Sequence, residues 1–258
     1  MKDLIPCLLF FGDGPSDVNG EAAVGGFEGL RPMVFDAMCR HAPNSLPEVW
    51  LGDYAESMWT PKSLREKSDH VGRSELKRPK ERLPFNTVRK GAEKALYEIA
   101  NQAWLLGKAA LHRGADYAVF FHDCDRFPLN DMAAAVRRGA AASGFGGVVE
   151  MTPCPTSEAW ILAGLKNLRG EPEERVTPEK AAKFEAQLQG NDRNERSAKA
   201  QLAQWVTKNP AAMALSPTQY RACVETLDLE HGWEGVECLS SMQVFVQSIA
   251  EASKKLKV

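Results

Sequence analysis

The chain has 258 residues, 44% hydrophobic and 26% charged, the make-up of a soluble globular protein able to bury a real core in one large or two modest domains. Its 34 acids and 32 bases leave a formal net charge of −2, so no whole-molecule field draws in nucleic acid and any basic footprint must be local. No run approaches the roughly 20 apolar residues of a membrane-spanning helix, and six scattered cysteines without a C-x-x-C pair point to free thiols in a reducing cytosol, not to a disulfide framework or structural zinc.

In chain order, "DLIPCLLFF" (3–11) reads as a buried strand stopped by "GDGPSD". The same opening has the look of a signal peptide, but its apolar run ends in turn chemistry, with no small-residue cleavage site. Over residues 22–41, Val34, Ala37 and Met38 repeat at helical spacing, with Pro32 acceptable in a first turn. "PEVWLGDY" (47–54) reads as a second strand. Residues 55–86 are polar, broken by prolines and basic in their second half, and read as a loop or inserted arm. Between Arg73 and Lys90 stand seven bases and two acids. That arm is either a solvated loop or a phosphate-contacting one, through Arg73, Lys77, Arg78, Lys80 and Arg82.

From Thr87 to Arg113, apolar positions trace one face of a long helix. "YAVFFH" (117–122) is the next strand, and Asn130 is read as the cap of an alanine-rich helix to about residue 142. "GFGGVVEM" (144–151) is a further strand, and "TPCPTSEAWILAGL" (152–165) opens a helix capped by Thr156 or Ser157. Alternation of strand and helix over residues 1–165 predicts an α/β domain with a mostly parallel sheet, helices on both faces and the basic insertion at about 55–86. Residues 166–258 are rich in Glu, Lys, Gln and Ala and read as a C-terminal helical extension or lobe, one helix starting at Thr177-Pro178.

The chemistry is expected at the carboxyl ends of the strands, where open α/β sheets bind ligands. Asp13 follows the first strand, and Asp123 and Asp125 follow the strand at 117–122; Glu150 and Glu158 flank the turn after the strand at 144–151. Carboxylates gathered at one edge repel unless something compensates them, and a hard divalent cation, Mg²⁺ or Mn²⁺, is the simplest compensator. If the strand continued past residue 122, alternation would aim Asp123 and Asp125 the same way. The plainer alternatives stay open: Asp123 and Asp125 as turn formers, Asp13 as part of a Gly-Asp-Gly-Pro turn, Glu158 as a first-turn acid complementing the helix dipole, and His122 as a hydrogen-bonded strand end. Trp160 is expected in the core.

These stretches resemble the Toprim domain of topoisomerases, bacterial primases and the overcoming-lysogenization-defect (OLD) nucleases. "FFGDGPSD" (10–17) stands where that family has a strand ending in E-G-x-[ST]-[DE], and "VFFHDCDRF" (119–127) where it has a strand ending in D-x-D. "TPCPTSEAWILAGL" is similar to the x-E-x-W-[LI]-L segment of RloB-like proteins and to the E-A-W-L-L-A-D segment of an uncharacterised Toprim-related bacterial family. The resemblance implies a Mg²⁺- or Mn²⁺-dependent endonuclease with Asp13, Asp123, Asp125 and Glu158 as catalytic and metal-binding residues. It further implies a nucleic-acid substrate (DNA or RNA, tRNA included), an ATPase partner and a role in defence against phage. The departure is Asp13 in place of the family's Glu: one methylene shorter, it draws the carboxylate back by about 1.5 Å, and displacements near 1 Å can cost roughly a hundredfold in rate. A catalytically impaired binding or scaffold module is therefore an alternative. So is a nucleotide-sugar transferase, whose D-x-D motif holds Mn²⁺ on a diphosphate. Oligomeric state is open and leaves room for a homo-oligomer.

Overall fold

In the computed structural model, residues 5–12, 30–41, 61–71, 91–190, 194–209 and 233–255 are described. The chain divides into two compact units: residues 1–121, 130–151 and 245–258, and residues 122–129 and 152–244.

The first unit is built on four strands, β1 (Leu8–Phe11), β2 (Ser68–His70), β3 (Tyr117–Phe121) and β4 (Val148–Met151). They form an all-parallel sheet in the order β2-β1-β3-β4, with Leu8 opposite Tyr117 and Phe11 opposite Phe120. The central strands read LLFF and YAVFF, and every residue of both is buried. That is what a parallel strand covered on both faces requires: an unbroken apolar run rather than alternation. Phe11 stacks on Phe120 with ring centroids 5.2 Å apart, and the Asp116 carboxylate accepts the Cys7 N–H at 2.8 Å just before the two strands meet.

Helices α1 (Arg31–His41) and α2 (Pro61–Glu66) connect β1 to β2, α3 (Ala92–Arg113) leads into β3, and α4 (Leu129–Ser143) leads into β4. The β1-to-β2 connection moves one way along the sheet and the connections into β3 and β4 move the other. With right-handed crossovers, α1 and α2 lie on one face and α3 and α4 on the opposite one. Phe35 of α1 meets Phe10 edge-on at 5.7 Å. The α3–α4 pair is close-packed: a Cβ on Gly139 would run into the Ala100 carbonyl and one on Gly107 into the Ser143 hydroxyl. Helix α3 stops at Gly114, whose left-handed backbone returns its N–H to the Ala110 and Leu111 carbonyls.

The second unit is helical: α5 (Ser157–Arg169), α6 (Pro178–Gln187), α7 (Ala198–Lys208) and α8 (Trp233–Glu237), with the first residues of α9 (Ser240–Lys255). Trp160 is fully buried and donates its indole N–H to the Ser241 hydroxyl at 2.8 Å. Asn167 ties α5 to the approach of α6 through both the N–H and the carbonyl of Val176. Thr177 is the N-cap of α6 and Pro178 its first residue, as the sequence predicts. No helix among the described residues is long and apolar enough to cross a membrane.

Several expectations need correction. Helix α2 and strand β2 lie within the stretch read as a loop or inserted arm; SDH has no apolar pattern and becomes a strand only by backbone pairing with β1. Asn130 is inside the first turn of α4 rather than its cap. Strand β4 begins at Val148 because the glycines before it belong to a turn, with Gly144 at φ 76°. The strand read at 47–54 lies outside the described residues.

The α3–α4 contact yields a prediction. Gly139→Ala should destabilise the fold by about 1–3 kcal/mol, because the added methyl meets backbone and cannot be accommodated by a rotamer change. Urea denaturation checks this; an unchanged midpoint would mean that the helices are not held so close.

Candidate functional site

The segment after β3 is organised by the loop that precedes α5, and both lie in the second unit. The strand ladder ends at Phe121. Beyond it Cys124 donates its N–H to the Pro153 carbonyl at 2.9 Å and Asp125 to the Pro155 carbonyl at 2.8 Å. The Phe127 N–H then closes a turn on the Cys124 carbonyl at 2.8 Å, with Asp125 as its second residue at φ 51°. Aspartate is among the few residues that tolerate this left-handed backbone. The condition for Asp123 and Asp125 to point the same way, a continuing strand, is therefore not met.

The two aspartates differ in setting. Asp123 is half-buried, and its Oδ1 accepts the Ser157 N–H at 2.8 Å at the start of α5. The helix N-cap itself, Thr156, makes no side-chain cap bond, so a carboxylate from another segment satisfies an amide that the helix leaves without an internal partner. Asp125 is exposed, and its backbone is backed by Gly190, where a Cβ would collide with the Asp125 carbonyl. Glu158 is half-buried in the first turn of the same helix, the place where an acid complements the helix dipole. His122 turns its Nδ1 to the Asp123 carbonyl at 2.7 Å.

Glu150 departs from the expectation that it sits beside these acids at a strand end. It lies within β4, 2% exposed in the first unit, and its Oε2 is 3.3 Å from Nε of Arg137 on α4. The strand ends at Met151, which keeps Glu150 within the ladder. Asp13 and Asp17 lie outside the described residues, as do Arg73, Lys77, Arg78, Lys80 and Arg82. Among the described residues no three His, Cys, Asp or Glu side chains form a group able to hold a metal ion, Asp123, Asp125 and Glu158 included.

Sequence reading missed what three residues do in this loop. Ser157 matters through its backbone N–H, and Gly190 through the absence of a side chain; neither signal is visible without the fold. The third is Cys154. The Cys124 thiol, which donates to the Thr152 carbonyl at 3.7 Å, also hydrogen-bonds Cys154 and lowers the Cys154 pKa from its ordinary value, against burial and the Glu185 charge, which raise it. One S–H proton serves both acceptors, and it favours the sulfur when Cys154 is a thiolate. No family model matches the sequence, and no curated protein or solved structure matches it significantly.

Because the thiolate is the reactive form, alkylation of Cys154 by iodoacetamide should gain speed at a lower pH than for an ordinary thiol. Cys124→Ala removes the donor and should move the midpoint of that profile to higher pH. Mass spectrometry of the Cys154 peptide across a pH series measures it; an unmoved midpoint would discard the Cys124 hydrogen bond as the cause.

Proposed function

We propose that the chain is a divalent-metal-dependent phosphodiester hydrolase with a Toprim-like α/β core, acting on DNA or RNA. The observation that carries this reading is topological. β1 and β3 are parallel neighbours whose onward connections leave in opposite directions along the sheet. That reversal makes the space beyond their carboxyl ends a topological switch point, the place where open α/β sheets receive ligands. Asp13 follows the last residue of β1 by two positions, and Asp123 follows the last residue of β3 by two, with Asp125 beyond it.

The donor chemistry suits Mg²⁺ or Mn²⁺, which are held by hard carboxylate oxygens and, for Mg²⁺, commonly by only one or two of them with substrate phosphates. Asp123 and Asp125 would hold the ion, with Glu158 of the same unit as a further carboxylate; a part for Asp13 rests on the resemblance alone. When bound, such an ion neutralises charge on the scissile phosphate and activates the attacking water. The chain's own part is placement. The Ser157 N–H holds one Asp123 oxygen in a set direction, and the left-handed turn presents Asp125 to solvent. The basic stretch Arg73, Lys77, Arg78, Lys80 and Arg82 would contact the phosphate backbone without regard to sequence, giving binding that weakens steeply with salt. An ATPase partner and a place in phage defence rest on the resemblance alone.

A second reading, a binding or scaffold module on the same fold, is favoured by two observations: Asp123 already serves as a helix cap, and no three-donor group forms among the described residues.

Asp125→Asn keeps the backbone preference of the turn while removing the charge, so it separates the readings without disturbing the Asp123 cap. We expect Mg²⁺- or Mn²⁺-dependent cleavage of plasmid DNA or tRNA that falls roughly a hundredfold in this variant, the scale on which misplaced catalytic groups are felt. The surface variant Asp131→Asn should cleave normally. Absence of metal-dependent cleavage, or cleavage indifferent to Asp125→Asn, favours the module. Gly190→Ala should also slow cleavage, on the order of tenfold or more, by displacing the turn that carries Asp125. Full activity with that alanine in place would remove the turn's position from the mechanism.

A further inference from the structure

Two free thiols of the second unit, Cys124 and Cys154, are neighbours in space. Cys124 stands in the segment after β3, and Cys154 in the loop before α5. Their backbones are fastened on either side of the pair. The Cys124 N–H reaches the carbonyl just before Cys154, that of Pro153, at 2.9 Å. The next amide, that of Asp125, reaches the carbonyl just after Cys154, that of Pro155, at 2.8 Å. Backbones joined by such bonds in a sheet lie about 4.8 Å apart, within the roughly 4.4–6.8 Å between Cα atoms that a disulfide spans.

The side chains meet as well, because the Cys124 thiol hydrogen-bonds the Cys154 sulfur. They differ in their access to solvent: Cys124 is fully buried, whereas Cys154 is only half-buried. Cys7, Cys39 and Cys238 are placed otherwise. Burial raises the pKa of each, so less of each stands as the nucleophilic thiolate.

We propose that this pair is a site of reversible oxidation by hydrogen peroxide, at which Cys154 reacts first and Cys124 closes a disulfide onto it. The Cys154 thiolate attacks one peroxide oxygen and the O–O bond breaks. Hydroxide leaves and is protonated to water, and the sulfur, oxidised by two electrons, becomes a sulfenic acid. Cys124 then gives up its proton and its sulfur attacks the Cys154 sulfur. The S–S bond forms, the S–O bond breaks, and the departing hydroxide takes up that proton as a second water. Two thiols and one peroxide thus become one disulfide and two waters. Burial suits Cys124 to the second step, since it is shielded from peroxide yet in contact with the sulfur that peroxide reaches. The new bond fastens the chain at the residue between Asp123 and Asp125. The proposal does not rest on the hydrolase reading, because it is read on the sulfurs and not on cleavage.

The test treats the full chain, reduced and then freed of reductant, with a small excess of hydrogen peroxide. Remaining thiols are blocked with N-ethylmaleimide, and the chain is digested with trypsin without reduction. Cleavage after Arg113, Arg126, Arg138 and Lys166 leaves Cys124 in peptide 114–126 and Cys154 in peptide 139–166, with one cysteine in each. We expect these two peptides joined as the main oxidised product by mass spectrometry, released by dithiothreitol and formed severalfold less in denaturing urea, where the contact is lost. In Cys124→Ala the sulfenic acid has no thiol to resolve it, so dimedone labelling of Cys154 should rise severalfold over the unaltered chain. In Cys154→Ala, Cys124 should stay reduced. The mapping on the unaltered chain stands whether or not either variant folds. No cross-link, Cys154 joined to Cys223 or any cysteine but Cys124, an equal yield in urea, or Cys154 oxidised no faster than Cys7, Cys39 and Cys238 would each overturn the proposal.

Discussion

Two strands, LLFF and YAVFF, lie side by side with every side chain buried. Nothing polar can leave the sheet through their faces, so the chain can place charge near its centre only where these strands stop. The Phe11–Phe120 stack and the backbone ladder between β1 and β3 hold the two ends level. Everything distinctive about the acids downstream follows from that. They stand where an apolar run has ended, and their geometry is set by the segments that receive the chain rather than by the strand that delivers it.

The loop after β3 shows how much that matters. Its carbonyl partners at Pro153 and Pro155 and the Asp123 cap on α5 are contacts between segments about thirty residues apart in the chain. A carboxylate fixed by a backbone amide keeps its direction at little conformational cost, whereas one on a freely rotating side chain must be ordered each time it acts. The same contact explains why two readings of the acids, helix cap and metal ligand, coexist here. One Asp123 oxygen accepts the Ser157 N–H at the start of α5.

The central architecture was legible in the amino-acid order because continuous apolar runs and helical periodicity are local signals. The buried strands at Leu8–Phe11 and Tyr117–Phe121, the long helix ending at Arg113, the Thr177-Pro178 start and the buried Trp160 all announce themselves in this way. What was not legible depended on partners distant in sequence. Ser-Asp-His becomes a strand because β1 offers it a ladder. Glu150 looks like one more acid at a strand end until Arg137 and Ser248 place it inside the sheet. Asp125 leaves the strand alternation because Pro155 binds its amide, and Gly190 acts through a side chain it lacks. Asp13 and the basic residues from Arg73 to Arg82 lie outside the described residues.

The modest strand β2 carries a consequence of its own. An open row of peptide groups at the rim of a sheet is a template on which another chain can add a strand. Among the described strands one rim is β2, only three residues long, and Asp69 stands on it in an ion pair with Arg113 at 2.6 Å. So short and charged a border offers an incoming strand little to pair with. At β4, the opposite rim among the described strands, an amide is already taken by Ser248. Among the described strands both rims are short, three and four residues, and give an added strand little to pair with.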